Sequence, residues 1–225
     1  MKKYLFLILT SILSMCCGRP PEVRVDPVTK SEADTVALVI EMPFNGMKVR
    51  PFCSGVWIGD EWILTARHCT LTDGDEDKEE KYIASAEGTP KVYTAQVAYR
   101  SEDHDLALLR IITGPAHGWA KIALKSPRQG ANVHVVGHPL GFWYTYLTGT
   151  VAGYRERIDG IVDTGGPKGP YLQIEAPIFH GNSGGGAFND DNELVGICSF
   201  SAGLPSEGFF IPVEAITPFV MGSHL

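Results

Sequence analysis

Apolar and alternating runs recur along this chain, each bounded by Gly, Pro, Asp or Asn. The first half carries them at Val36–Met42, Phe52–Ile58, Trp62–Ala66, Tyr82–Ala86, Val92–Tyr99, Leu106–Ile112 and Val133–Gly137. The second half continues with Trp143–Ala152, Tyr171–Ala176, Gly186–Phe188, Leu194–Phe200 and Phe209–Val213. Short runs rich in β-branched and aromatic residues between turn residues predict strands, and many of them together predict an all-β barrel or sandwich. Only Val213–Val220 has helical character, so one short C-terminal helix is expected. Gly114–Gln129, rich in Gly, Pro and Lys, divides the strands into two comparable sets. It is the expected link between lobes spanning about 35–120 and 121–225.

The N-terminus follows a different pattern. Lys2 and Lys3 precede a nearly unbroken apolar run from Tyr4 to Leu13. That run is too short to span a bilayer comfortably but fits the core of a signal peptide, here assigned to residues 1–15. Leu13-Ser14-Met15-Cys16 resembles the lipobox of bacterial lipoproteins, in which the cysteine is acylated and becomes the new N-terminus. Met15 departs from that pattern, and Cys17 is a second candidate. If Cys16 is lipidated, the acyl chains attach the protein to a membrane surface without a spanning helix. Residues 16–34, Pro- and charge-rich, then serve as a tether. The alternative is a freely secreted form.

Composition narrows the functional classes. With 225 residues, 44% of them hydrophobic, the chain is long enough to bury a sizeable core. Its formal charge of −7 becomes more negative if Lys2 and Lys3 leave with a signal segment. An acidic chain without a basic run is a poor nucleic-acid binder, so no nucleic-acid partner is expected. Beyond the processing site the cysteines are Cys53, Cys69 and Cys198. Cys53 and Cys69 bracket a pair of strand-like runs, where they either close a disulfide across a hairpin or remain two buried thiols. Neither spacing matches a zinc motif, and no metal site is expected. The acidic run Asp73–Glu80 imitates the start of a calcium loop, but Lys78 replaces the required glycine, and a solvated loop is the better reading. His134 and His138 read as packing or surface residues rather than ligands.

Three segments carry chemistry together. Thr65-Ala66-Arg67-His68-Cys69 follows an apolar strand, Asp105-Leu106-Ala107-Leu108-Leu109 opens another, and Gly181-Asn182-Ser183-Gly184-Gly185 sets a serine among glycines. A serine hydroxyl is a weak nucleophile and needs a base to take its proton. Histidine suits that task, and a buried aspartate holds the imidazole in the useful tautomer. Each element alone is common, but the order His68, Asp105, Ser183 on an all-β pattern is specific. The nucleophile elbow of α/β-hydrolases is excluded, because the acid and histidine follow the serine there. Beyond Ser183 this chain has only His224.

These three segments resemble the signatures of trypsin-like serine peptidases, over about Val36 to Val220. The resemblance implies two six-stranded antiparallel β-barrels with the active site in the cleft between them. It implies a serine endopeptidase acting on protein or peptide substrates without a cofactor. His68, Asp105 and Ser183 would form its triad, the N–H groups of Gly181 and Ser183 its oxyanion hole, and Cys53–Cys69 the disulfide bracing the histidine loop. The competing class, a catalytically silent binding protein on the same fold, has usually lost a triad member, and this chain keeps all three.

Val136-Gly137-His138-Pro139-Leu140-Gly141, Ala176-Pro177-Ile178-Phe179-His180-Gly181-Asn182-Ser183 and Glu207-Gly208-Phe209-Phe210-Ile211-Pro212 are similar to segments of the HtrA/Deg protease domain. The chain ends soon after the last of them, so no PDZ domain is expected. Asn182 stands where digestive zymogens carry an aspartate, which implies that no pro-segment need be cleaved. The residues implied at the primary pocket are Ile178, Phe179, Ser199, Phe200 and Ser201, beside Pro177. None is acidic, so small or medium apolar residues are expected there rather than Arg or Lys.

Overall fold

The computed structural model describes residues 30, 32, 34–40, 50–71, 80–87, 89–112, 118–158, 168–201, 203 and 206–223. The expected signal segment, Cys16, most of the tether and nearly all of the acidic run lie outside the described residues.

Strands β1 (Thr35–Ile40), β2 (Arg50–Gly59), β3 (Trp62–Thr65), β4 (Glu80–Glu87), β5 (Thr89–Arg100) and β6 (Ala107–Ile111) form the first sheet. They pair antiparallel in the order β1-β2-β3-β6-β5-β4, and β4 returns to β1 to close a barrel. The second sheet holds β7 (Lys121–Ile122), β8 (Asn132–Gly137), β9 (Thr145–Arg155), β10 (Tyr171–Glu175), β11 (Gly186–Phe188), β12 (Glu193–Ser201) and β13 (Glu207–Pro212). Its order is β11-β8-β9-β10-β13-β12-β7, and a further β11–β12 pairing joins the ends of the ring β8 to β13. A helix, α1 (Val213–Gly222), follows directly.

Each of the strand-like runs from Val36–Met42 to Phe209–Val213 falls on or overlaps a strand. The second sheet differs from expectation by one element, because β7 makes it seven-stranded. This strand lies inside the segment read as a link, and it pairs parallel with β12 through Lys121–Glu193 and Ile122–Leu194. Two residues cannot show an alternation, which is why the pattern missed it.

The arrangement explains why several strands read as continuous apolar runs rather than alternating ones. On β6, Leu108 and Leu109 point to opposite faces, yet both are fully buried. Leu109 packs inside the first barrel with Trp57, Ile63 and Cys69. Leu108 joins a second cluster with Val56 and Leu64, and with Val136, Tyr171, Phe188 and Ile211 from the other sheet. Burying such a leucine contributes about 2 kcal/mol. Ala215 and Ile216 of α1 add to the same cluster. Glu214 in its first turn accepts hydrogen bonds from Ser126 N (2.9 Å) and Oγ (2.6 Å), which ties the helix to the chain between β7 and β8. The apolar seam between the sheets supports the site.

Candidate active site

His68 sits on a 3-10 turn, Arg67–Thr70, entered directly from β3. Two anchors hold this turn. Cys69 is bonded to Cys53 of β2, with Cα atoms 6.1 Å apart, which resolves the two readings of that pair in favour of the disulfide. Arg100 Nε donates to Thr70 Oγ1 at 2.9 Å, and Thr70 Oγ1 donates to Arg67 O at 2.7 Å.

Asp105 lies just ahead of β6 and is buried. Its Oδ1 accepts the backbone N–H of His68 at 2.9 Å, and its Oδ2 lies 2.7 Å from His68 Nδ1. An ionised carboxylate only accepts, so Nδ1 carries a proton, and in the neutral imidazole Nε2 is then the acceptor. Ser199 Oγ donates to the same Oδ2 at 2.6 Å. Burial acts to raise the Asp105 pKa, but the hydrogen bonds and charge of His68 and the Ser199 hydroxyl outweigh it and leave the carboxyl below its ordinary range.

Ser183 belongs to the loop from β10 to β11, which is stitched to both sheets. Ser54 N of β2 donates to Ser183 O at 2.7 Å, and Gly184 N donates to Cys198 O of β12 at 2.8 Å. Gly184, at φ +81°, presses on β2 and on the end of β3 so closely that a Cβ there would meet Ser54 O at 2.1 Å and Thr65 Oγ1 at 2.2 Å. Only glycine lets the serine loop approach the first barrel this far. The Cys69 sulfur lies 3.6 Å from Ser183 O and 3.8 Å from His68 Nε2, so one disulfide atom flanks both residues. Among the described residues the Ser183 hydroxyl has no hydrogen-bond partner, and its bond to His68 is not formed here. Such bonds are commonly long in substrate-free enzymes and tighten on binding.

The remaining residues separate into two groups. Gly181 is buried at φ +101°, against the loop after β8. Ile178 is nearly buried, and a Cβ on Gly208 would lie 2.4 Å from its Cγ1, so the two close the same space. Phe200 stacks on Phe209 at 5.0 Å and meets the edge of Tyr171 at 5.4 Å. Phe179 and Ser201 are exposed. Ser199, expected on the pocket wall, is 2% exposed and turned to Asp105. Sequence reasoning did not find this contact, since a serine in a strand carries no signal of a partner 94 positions away. An open cleft of about 740 Å³ along β8, β9 and β10 shares only Pro177 with the expected pocket.

A closed antiparallel barrel and a second, mostly antiparallel sheet, with a buried carboxylate holding an imidazole beside a glycine-flanked serine, define the chymotrypsin-like class of fold. The chain belongs to the trypsin-like peptidase family, whose domain model matches residues 53–197. It is 32% identical over 173 residues to Protease Do-like 2, chloroplastic, of Arabidopsis thaliana, covering 74% of this chain and 27% of that protein. It is 30% identical over 182 residues to the serine endoprotease DegS of Escherichia coli, covering 77% of this chain and 48% of DegS. The chain thus spans between about a quarter and a half of the length of these relatives. Among solved structures, the inactive form of the Rv3671c protease of M. tuberculosis superposes with a TM-score of 0.70 at 18% identity, over 88% of this chain and 93% of that one. The active form gives 0.69 at 19% identity, over 85% and 81%. At these identities the likeness speaks for the fold.

Proposed function

We propose that this chain is an exported serine endopeptidase that hydrolyses peptide bonds through Ser183, His68 and Asp105. The observation that carries this reading is the Asp105 carboxylate. It is buried, accepts both Nδ1–H and the backbone N–H of His68, and so leaves Nε2 of the neutral imidazole as the acceptor beside the Ser183 loop. In this mechanism Ser183 Oγ attacks the scissile carbonyl and His68 Nε2 takes its proton. The N–H groups of Gly181 and Ser183 receive the developing oxyanion. The imidazolium passes the proton to the leaving amine, and water then hydrolyses the acyl-enzyme by the same route.

Protein and peptide substrates fit the family, and the closing of Ile178 on Gly208 favours small or medium apolar residues before the scissile bond. Asn182 is uncharged and fully buried, which supports a serine loop that forms without pro-segment cleavage. Export is supported by the basic start at Lys2 and Lys3 and the apolar run from Tyr4 to Leu13. Attachment through lipidated Cys16 then predicts a diacylglyceryl mass at the N-terminus and release of Cys16→Ser to the soluble fraction. A native soluble form beginning at another residue rules out the anchor.

The test of the activity compares wild type and Ser183→Ala on a fluorogenic peptide library. The substitution is expected to leave folding intact and lower kcat by something like 10⁶-fold. Undiminished hydrolysis by Ser183→Ala would overturn the reading.

A further inference from the structure

The Ser54 hydroxyl has one proton and three neighbours. Its Oγ lies 2.7 Å from Gly181 O, 2.9 Å from His138 Nδ1 and 3.1 Å from His138 N. A carbonyl only accepts, so the hydroxyl proton goes to Gly181, and both His138 nitrogens donate to Ser54. His138 therefore carries a proton on Nδ1, and among the described residues its buried Nε2 has no hydrogen-bond partner. Ser54 and His138 are both 0% exposed, and the edges of Trp143 and Tyr144 frame the imidazole. With one bond given and two received, the hydroxyl cannot rotate without losing one.

This relay ends on Gly181, whose backbone most needs it. At φ +101°, with no side chain, Gly181 can turn its flanking peptides at little steric cost. Each of those peptides is pinned through its carbonyl. His180 O accepts Leu140 N at 2.7 Å, and Gly181 O accepts Ser54 Oγ. Leu140 and His138 both belong to the loop after β8, so that loop acts as the template for Gly181.

We propose that Ser54 and His138 are positioning residues, which fix the Gly181–Asn182 peptide through its carbonyl. Leu140 N holds the His180–Gly181 peptide, which carries the Gly181 N–H. The backbone turn set between the two keeps the N–H groups of Gly181 and Ser183 aimed at the oxyanion of the reaction. The inference rests on the peptidase reading of Ser183. Neither residue touches the substrate. Their effect is exerted on the charge that develops in the transition state, and so on kcat rather than KM.

The test measures kcat, KM and the affinity of a peptide boronic acid, whose adduct with Ser183 sets an oxygen in the oxyanion hole. His138→Phe keeps a ring but loses the donor, and Ser54→Ala removes one oxygen. Each is expected to lower kcat and boronate affinity together by roughly 10- to 100-fold, a fraction of the cost of losing an oxyanion donor, with KM within about twofold. The double variant should be no worse than either single one, because both cut one relay. His138→Asn, whose Nδ2 can stand where Nδ1 does, should recover most of the loss. The proposal is overturned if kcat and boronate affinity stay within about threefold of wild type, or if the loss lies in KM. It is also overturned if His138→Asn is as impaired as His138→Phe. Should His138→Phe fail to fold, Ser54→Ala and His138→Asn decide. Activity that survives Ser183→Ala is a separate result, and it overturns the peptidase reading instead.

Discussion

Ser199 Oγ and His68 Nδ1 meet on one atom, Asp105 Oδ2, at 2.6 and 2.7 Å. With the His68 backbone N–H on Oδ1, three donors fix the carboxylate plane, and that plane fixes the imidazole. Removing the Ser199 hydroxyl takes a donor from a buried charge, which costs about 1–3 kcal/mol. Ser199→Ala should therefore lower the melting temperature and reduce kcat, by less than Asp105→Asn, because His68 keeps both of its bonds. The pH dependence adds a signature. A depressed folded-state pKa gives Asp105 a contribution to stability that is present above its unfolded pKa and lost as pH falls through the folded one. Losing the Ser199 bond should move that loss to higher pH. An acid-unfolding midpoint that does not move would show that the bond contributes nothing to the carboxylate.

The disulfide links 16 positions of sequence and brackets the histidine turn. In the chain-entropy model such a loop contributes roughly 3 kcal/mol, a large share of a domain's stability. Reduction, or the Cys53→Ala/Cys69→Ala pair, should lower the melting temperature, and activity should fall with or before global unfolding. Cys198 is free and fully buried, and burial pushes its thiol pKa up. It should resist thiol reagents in the native state and react on denaturation. Mass spectrometry of the non-reduced protein checks both points, since a Cys53–Cys198 or Cys69–Cys198 peptide would contradict the pairing.

Local pattern made most of the strands legible, because each run is apolar on one or both faces and ends at turn residues. Leu106 to Leu109 shows the limit of that reading. The run is apolar throughout because one face fills the barrel and the other the seam between sheets, and its period alone does not say so. The three chemical segments were legible because histidine, aspartate and a glycine-flanked serine occur there in a fixed order. The residues that orient them were not. Ser199 and Ser54 are ordinary strand serines in sequence, and only the closure of the sheets puts one on Asp105 and the other on Gly181. His138 was read as packing, and its bond to Ser54 spans 84 positions.

His138 also makes a prediction about acid stability. Burial pushes its pKa down to about 3, so the folded protein keeps the imidazole neutral where an unfolded chain would protonate it. Below the ordinary histidine value of about 6.5 the unfolded state binds one proton more than the folded state. Stability then falls with decreasing pH by about 1.4 kcal/mol per unit from this group alone, until the folded pKa is reached. His134 acts with the same sign. Burial lowers its pKa, and Asn192 and Asp190 oppose the shift only in part. The Asp105 contribution is separable, because it is lost only below the ordinary range of a carboxylate. Urea denaturation at pH 7, 6, 5 and 4 should show stability declining in wild type and declining less steeply, by one proton, in His138→Asn. Equal slopes in the two proteins would mean that His138 is protonated in the folded state over this range. A protonated ring would still donate from Nδ1 to Ser54, but it would bury a charge that no carboxylate among the described residues answers, and the neutral imidazole inferred from burial would be wrong.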